Sequence, residues 1–221
     1  MNPKEERENA VRKTKMNLIL DASVEVFARL GYHAARLEDI ADAAGFSKTA
    51  LYYYFKDKEE IFLNLCLREH EKLLEEVRKN TADCSSFLSF LKMMIRTILS
   101  VFGEHFPLLL NMSNSRTIKT FVETDFLKYR EEIDKFREFR NEMENYIIER
   151  IDNGKANGEI SSVLESGEIA DHLEALVKGV FQRWYLKGSM GDIEKEIGSI
   201  TSFICSGLGI KENELSEKCG G

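Results

Sequence analysis

The chain has 221 residues, 43% of them apolar and 31% charged, and a net charge of −7. That length and composition permit a substantial buried core, and they exclude a disordered polymer and a histone-like blanket binder of nucleic acid. The first 22 residues carry charges throughout, and no segment approaches the roughly 20 uninterrupted apolar residues of a membrane span, so a cytoplasmic protein with no membrane partner is expected.

Cys66, Cys84, Cys205 and Cys219 are far apart and have only four histidines to join them. Neither a zinc site nor a disulfide framework is indicated, and no cofactor is expected. The charge is unevenly spread. Residues 1–58 hold 10 Lys+Arg against 9 Asp+Glu, and residues 59–221 hold 21 against 29. The acidity therefore lies outside the N-terminal quarter, which is the part left to meet a polyanion.

In chain order, Met16, Ile19, Leu20, Val24 and Phe27 recur at the period of one helical face. They predict a first helix from about Val11 to Leu30, closed by Gly31. Arg12, Lys13 and Lys15 read as a basic run ahead of it, either an arm for phosphates or a solvated charge cluster. Leu37, Ile40, Ala41 and Ala44 predict a second, two-turn helix ending at Gly45. Ser47 is a candidate cap for a third over Lys48–Phe55, and Leu51 and Phe55 share one face of it.

A long fourth helix is expected from Asp57, a candidate cap, to about Lys79. Further helices are predicted over 85–103 and 107–113. A long periodic run follows from Val122 to a stop at Asn153-Gly154, and the last two helices fall over 166–187 and 191–206. No alternating strand pattern and no internal repeat occurs.

Two short helices joined through Gly45-Phe46-Ser47 and preceded by a third have the spacing of a helix-turn-helix, although any helical hairpin shows something similar. Thr49, Tyr52, Tyr53 and Tyr54 crowd onto the third helix, flanked by Lys48, Lys56 and Lys58. Phenolic hydroxyls and ammonium groups donate to phosphate oxygens, and a short residue such as Thr49 admits close approach to base edges. The bland alternative, tyrosine as core filler, is open for Tyr52 but does not account for all three.

The run ILDASVEVFARLGYHAARLEDIADAAGFSKTALYYYFKDKEEIF, residues 19–62, closely resembles the DNA-binding domain of the TetR family of bacterial repressors. Gly31, Ile40-Ala41, Ala44-Gly45, Ser47, Leu51-Tyr52, Phe55 and Lys58 carry the match. The resemblance implies an all-α fold of about nine helices: an N-terminal helix-turn-helix domain over 1–56, an effector-binding and dimerisation domain over 57–210, and a flexible tail over 211–221 that includes Cys219. It implies that Lys48, Thr49 and Tyr53 face bases or adjacent backbone, and that Tyr52, Tyr54 and Lys58 hold phosphates, with Ser47 at the start of the reading helix. Where the family has threonine opening the second helix this chain has Arg36, a guanidinium able to grip phosphate that leaves the cap of that helix in doubt. Glu38 and Asp39 behind it complement the helix dipole, the alternative for Glu38 being a contact to a cytosine amino group.

One short reading helix makes too few base contacts for specificity, so a homodimer on a palindromic double-stranded operator is expected. Ile169, Leu173, Leu176 and Val180 in the penultimate helix and Ile193, Ile197, Ile200 and Ile204 in the last are the candidate interface, set against a purely intrachain core. The middle helices are rich in Met and Phe. The resemblance implies an effector cavity there, for which Met94, Ile98, Phe102, Met112, Phe126, Tyr129, Phe136 and Trp184 are candidates, and their chemistry favours a small, largely apolar or aromatic ligand. No nucleophile, metal or phosphate-loop motif points to an enzyme. The rival reading is a helical adaptor that binds only proteins.

Overall fold

The computed structural model describes residues 2–104 and 128–210. Among the described residues all regular structure is helical, in eight helices: α1 Pro3–Leu30, α2 Leu37–Ala44, α3 Lys48–Tyr52, α4 Lys58–Thr81, α5 Phe87–Glu104, α6 Arg130–Ala156, α7 Ser166–Lys187 and α8 Ile193–Leu208. The helix expected over 107–113, the start of the run from Val122 and the tail lie outside the described residues. No helix among those described is long and apolar enough to cross a membrane.

The described residues form two compact units. The first runs to His70 and resumes up to Arg137. The second takes Glu71 to Glu104 and continues from Glu138. In the first, α1 packs on α2 and α2 on α3. Ile19, Phe27, Ile40, Leu51, Phe55, Ile61, Phe62 and Leu65 close one buried cluster, which Tyr32 and Tyr129 join. In the second, α5 and α7 both lie against α8, and the core holds Val77, Phe90, Leu91, Ile95, Val180 and Trp184.

Several helix ends differ from their sequence expectation, each for a physical reason. Helix α1 begins at Pro3 because the Asn2 side chain accepts the Lys4 N–H (3.1 Å) and Glu5 reaches back to the Asn2 N–H (3.3 Å). This is a capping box with proline at the first helical position. Arg12, Lys13 and Lys15 are therefore turns of a helix and not an arm ahead of it. Helix α3 stops at Tyr52, and its last turn tightens, with the Tyr53 N–H on the Ala50 carbonyl (3.2 Å) and the Tyr54 N–H on the Leu51 carbonyl (2.9 Å).

Helix α6 runs through Asn153-Gly154 to Ala156, so Gly154 is not a stop. A Cβ there would meet Ile160 Cδ1 at 2.9 Å and Phe87 Cβ at 3.3 Å, which makes the glycine a point of close packing. The chain turns instead at Gly158, whose φ is +75°. Buried helix ends in the second unit are completed from afar: Arg150 donates to the Thr81 carbonyl at the end of α4 (2.6 Å), and Glu159 accepts the Phe87 N–H at the start of α5 (2.6 Å). Such partners satisfy backbone groups that a helix leaves orphaned.

Leu51 is the fully buried anchor of α3. Leu51→Ala is expected to cost about 2–5 kcal/mol through the lost transfer energy and the cavity it leaves. Chemical denaturation should show this as a lower midpoint with an unchanged slope.

Candidate nucleic-acid interface

The turn between α2 and α3 rests on Gly45, which adopts φ 72°, ψ 27° and closes α2 through its N–H on the Ala41 and Asp42 carbonyls. Nothing lies within 4 Å of where its Cβ would be, so the dihedral and not crowding calls for glycine. Ser47 then caps α3, its hydroxyl oxygen accepting the Ala50 N–H (3.1 Å). Leu51 and Phe55 turn inward. That leaves Lys48, Thr49, Tyr52 and Tyr53 exposed on the opposite side, Tyr53 at 71%.

The three tyrosines separate. Tyr52 and Tyr53 are surface residues. Tyr54 is half-buried, edge-on to Phe46 at 5.9 Å, and packs against the core cluster. The Tyr53-Tyr54 pair is steadied from α1: the Arg12 guanidinium lies 5.3 and 5.5 Å from their ring centroids and donates to the Tyr53 carbonyl (3.3 Å). Cation–π contact of this kind fixes ring orientation.

Arg36 sits at the N-cap of α2 with its side chain exposed and makes no side-chain cap bond. A guanidinium has no acceptor to offer. Asp39 takes over half of the role, accepting the Arg36 N–H at 2.8 Å. Lys48 is ion-paired with Glu38 of α2, and the Lys48 ammonium holds the Glu38 carboxyl below the usual carboxylate range.

Lys58 is directed into the chain. Its ammonium donates to the carbonyls of Tyr32 (2.8 Å) and Ala35 (2.9 Å), with a longer approach to His33 (3.4 Å), and lies 4.6 Å from the Tyr32 ring centroid. Burial lowers its pKa, with Glu59 opposing. The geometry makes Lys58 a clasp between the start of α4 and the α1–α2 turn, reinforced by the Tyr32 hydroxyl donating to Glu59 (3.1 Å). Next to it Asp57 caps α4, one oxygen accepting the Glu60 N–H (2.8 Å) and the other accepting from the Tyr129 hydroxyl (2.9 Å) and the Lys128 ammonium (2.7 Å). Burial raises the Asp57 pKa, but Lys128 and these hydrogen bonds outweigh it and hold the carboxyl below its ordinary value.

Sequence reasoning did not find Arg12 as a partner of Tyr53, Glu38 as a partner of Lys48, or Lys128 as a partner of Asp57. All three are links between separate elements, and only the Asn2-Pro3-x-Glu5 start of α1 carried a local signal that would have put Arg12 inside a helix.

The other candidate residues are distributed as follows. Tyr129 is buried in the core of the first unit, and Phe136 packs on the same cluster with its ring 4.6 Å from that of His70. Met94 and Trp184 are buried in the second unit and Ile98 is half-buried there. Met112, Phe126 and the side chain of Phe102 lie outside the described residues. Of the eight candidate interface residues, Ile169, Leu173, Val180, Ile197, Ile200 and Ile204 are buried within their own unit, while Leu176 and Ile193 are partly exposed. The faces of α7 and α8 turned to solvent carry Ala175, Leu186, Ser202, Phe203, Ser206 and Gly207 instead.

Residues 19–65 match the family model described as bacterial regulatory proteins, tetR family. The fatty acid metabolism regulator protein of Bacillus subtilis (strain 168) is 23% identical over 199 residues, 89% of this chain and 97% of that protein. Among solved structures, the fatty acid degradation regulator FadR from Bacillus halodurans superposes with a TM-score of 0.72 at 21% identity, covering 89% of this chain and 97% of that one. FadR from Bacillus subtilis in complex with stearoyl-CoA gives 0.65 at 22% identity, covering 86% and 98%.

Two outcomes are expected for the scaffold of this surface. Gly45→Ala should cost about 1–2 kcal/mol, the penalty of a left-handed residue bearing a Cβ, and Gly45→Asn clearly less, as thermal denaturation of the two variants will show. Asp57→Ala should cost about 0.5–2 kcal/mol at neutral pH through the lost cap. Because the folded carboxyl titrates below its unfolded value of about 3.9, its contribution is complete above that pH and is lost as pH falls through the folded value. The gap between wild type and Asp57→Ala should therefore narrow on acidification, as denaturant titrations at pH 7 and pH 3 would record.

Proposed function

We propose that the chain, whose residues 19–65 match the tetR family of bacterial regulatory proteins, is a ligand-responsive DNA-binding regulator of that family, a repressor that binds a palindromic operator as a homodimer and is released by a small effector. The observation that carries this reading is the two-sidedness of the segment from Lys48 to Phe55, α3 and the tight turn after it: Leu51 and Phe55 are fixed in the core while Lys48, Thr49, Tyr52 and Tyr53 stand in solvent. A helix so anchored presents donors outward at fixed spacing, as entry into a major groove demands. Residues 1–56 are the reader in this proposal and residues 57–210 bind the effector and the second subunit. Lys48 and Thr49 read bases, with Tyr53 at bases or adjacent backbone. Tyr52, Tyr54 and Arg36 hold phosphates, and Lys58 acts by holding the turn behind the reading helix.

The second subunit would dock on the outward faces of α7 and α8, around Phe203 and the small residues beside it, since most of the isoleucines and leucines first considered already fill their own core. An exposed phenylalanine flanked by serine and glycine lets two helix pairs approach closely in a four-helix bundle.

For the effector, the likeness to fatty acid regulators over most of the chain and the stearoyl-CoA bound to one of them favour a long-chain acyl thioester of coenzyme A, which meets the expectation of an apolar ligand through its acyl chain alone. Effector binding would shift α4. Lys58 and Glu59 tie the start of that helix to the Tyr32–Ala35 turn, so a displaced α4 carries the reader with it and spoils the spacing of the two heads.

A salt-titrated footprint on the DNA upstream of the protein's own gene tests the reading. Protection of two half-sites about one helical turn apart is expected, with loss of affinity by a factor of about 5–150 on adding stearoyl-CoA. Indifference to every duplex at low salt would leave the protein-only adaptor standing. Release by stearic acid or an aromatic compound, and not by the thioester, would overturn the effector assignment alone.

A further inference from the structure

Lys48 opens the reading helix, yet its ammonium is paired with a carboxylate on the neighbouring helix, and both side chains are about half exposed. An ion pair this exposed adds little to stability, so the fold does not depend on it. Nor is Glu38 needed to complete α2, because Asp39 accepts the Arg36 N–H at that end. What Glu38 does change is the charge of the surface offered to DNA. Arg36, Glu38, Asp39, Asp42 and Lys48 together carry a net −1.

We infer that Glu38 is a specificity-determining residue, and that the Glu38–Lys48 pair reads one G·C base pair jointly while suppressing attachment to phosphate alone. This rests on the regulator reading above. For Lys48 to bind a phosphate, its ammonium must give up Glu38 and leave that carboxylate facing a polyanion, so the gain is largely cancelled. Against a G·C pair both members keep partners. Lys48 donates to the guanine O6 and N7, and Glu38 accepts from the cytosine N4 amino group, the two edges lying side by side in the major groove. The Tyr52 ring, its centroid 6.0 Å from the Lys48 ammonium, borders the lysine on its own helix. Discrimination thus comes from an unfavourable encounter with the wrong site as much as from a favourable one with the right site.

The test compares wild type, Glu38→Gln and the double variant Glu38→Gln/Lys48→Gln, each checked for an unchanged melting temperature, on a duplex selected from random DNA by the wild type and on a scrambled duplex of the same composition. Glu38→Gln should bind the scrambled duplex about three- to tenfold more tightly at 50 mM salt, with a salt slope steeper by about one unit. Its preference for the selected duplex should fall about tenfold, and a new selection with this variant should lose one G·C pair from the motif. The double variant should return scrambled-duplex binding to the wild-type level. A Glu38→Gln protein that keeps both the preference ratio and the full motif, or that binds scrambled DNA more weakly than wild type, overturns the inference while leaving the regulator reading intact. Failure of the wild type to bind any duplex overturns that reading and this one with it.

Discussion

A helix of five residues cannot stand on its own hydrogen bonds. Nucleation is costly and each added residue returns little, so isolated segments shorter than a dozen residues are not stable in water. Helix α3 exists because Leu51 and Phe55 are driven into a cluster formed by α1, α2 and the start of α4, and because Ser47 and the αL turn at Gly45 set its first residue. The rest of the surface follows from that burial. Once Leu51 in the helix and Phe55 just past it are committed inward, Lys48, Thr49, Tyr52 and the following Tyr53 have only the solvent side left.

The same dependence explains why the neighbouring contacts are polar and long-range. Lys58 saturates carbonyls of the α1–α2 turn, Asp57 collects the Lys128 ammonium and the Tyr129 hydroxyl, and Arg12 lies over two tyrosine rings. None of these bonds makes a helix. Each ties a helix or its end to a separate element of the chain. Lys58, which the resemblance would set against phosphate, spends its hydrogen bonds within the chain instead.

Much of this was legible beforehand. The 37–44 helix, the glycine corner and the serine cap follow from local rules, because each depends on residues within one turn of each other. The span of α7 was equally legible, bounded by a serine and by a lysine-glycine end. What escaped was of two kinds. Gly154 looked like a terminator because the one-dimensional rule counts only backbone freedom, whereas here the missing side chain makes room for Ile160 and Phe87. The apolar residues of α7 and α8 could be divided between their own core and a partner only in three dimensions, because a sequence does not say which neighbour an apolar stripe faces. Ile197, Ile200 and Ile204 turn out to fill the protomer itself, and only a three-dimensional count of neighbours separates a core stripe from a contact stripe. Arg12, Glu38 and Lys128 escaped for a related reason: their partners are 10 to 71 residues away in sequence.

Trp184 is the single tryptophan of the chain and is almost completely enclosed in the second unit, edge-on to Phe181 at 5.8 Å. Tyr32, Tyr52, Tyr53, Tyr54 and Tyr129 all belong to the first unit. The molecule thereby carries its own pair of optical probes: indole emission follows only the second unit, and phenol absorbance is dominated by the first. The two can be watched unfolding separately in one cuvette, without a label.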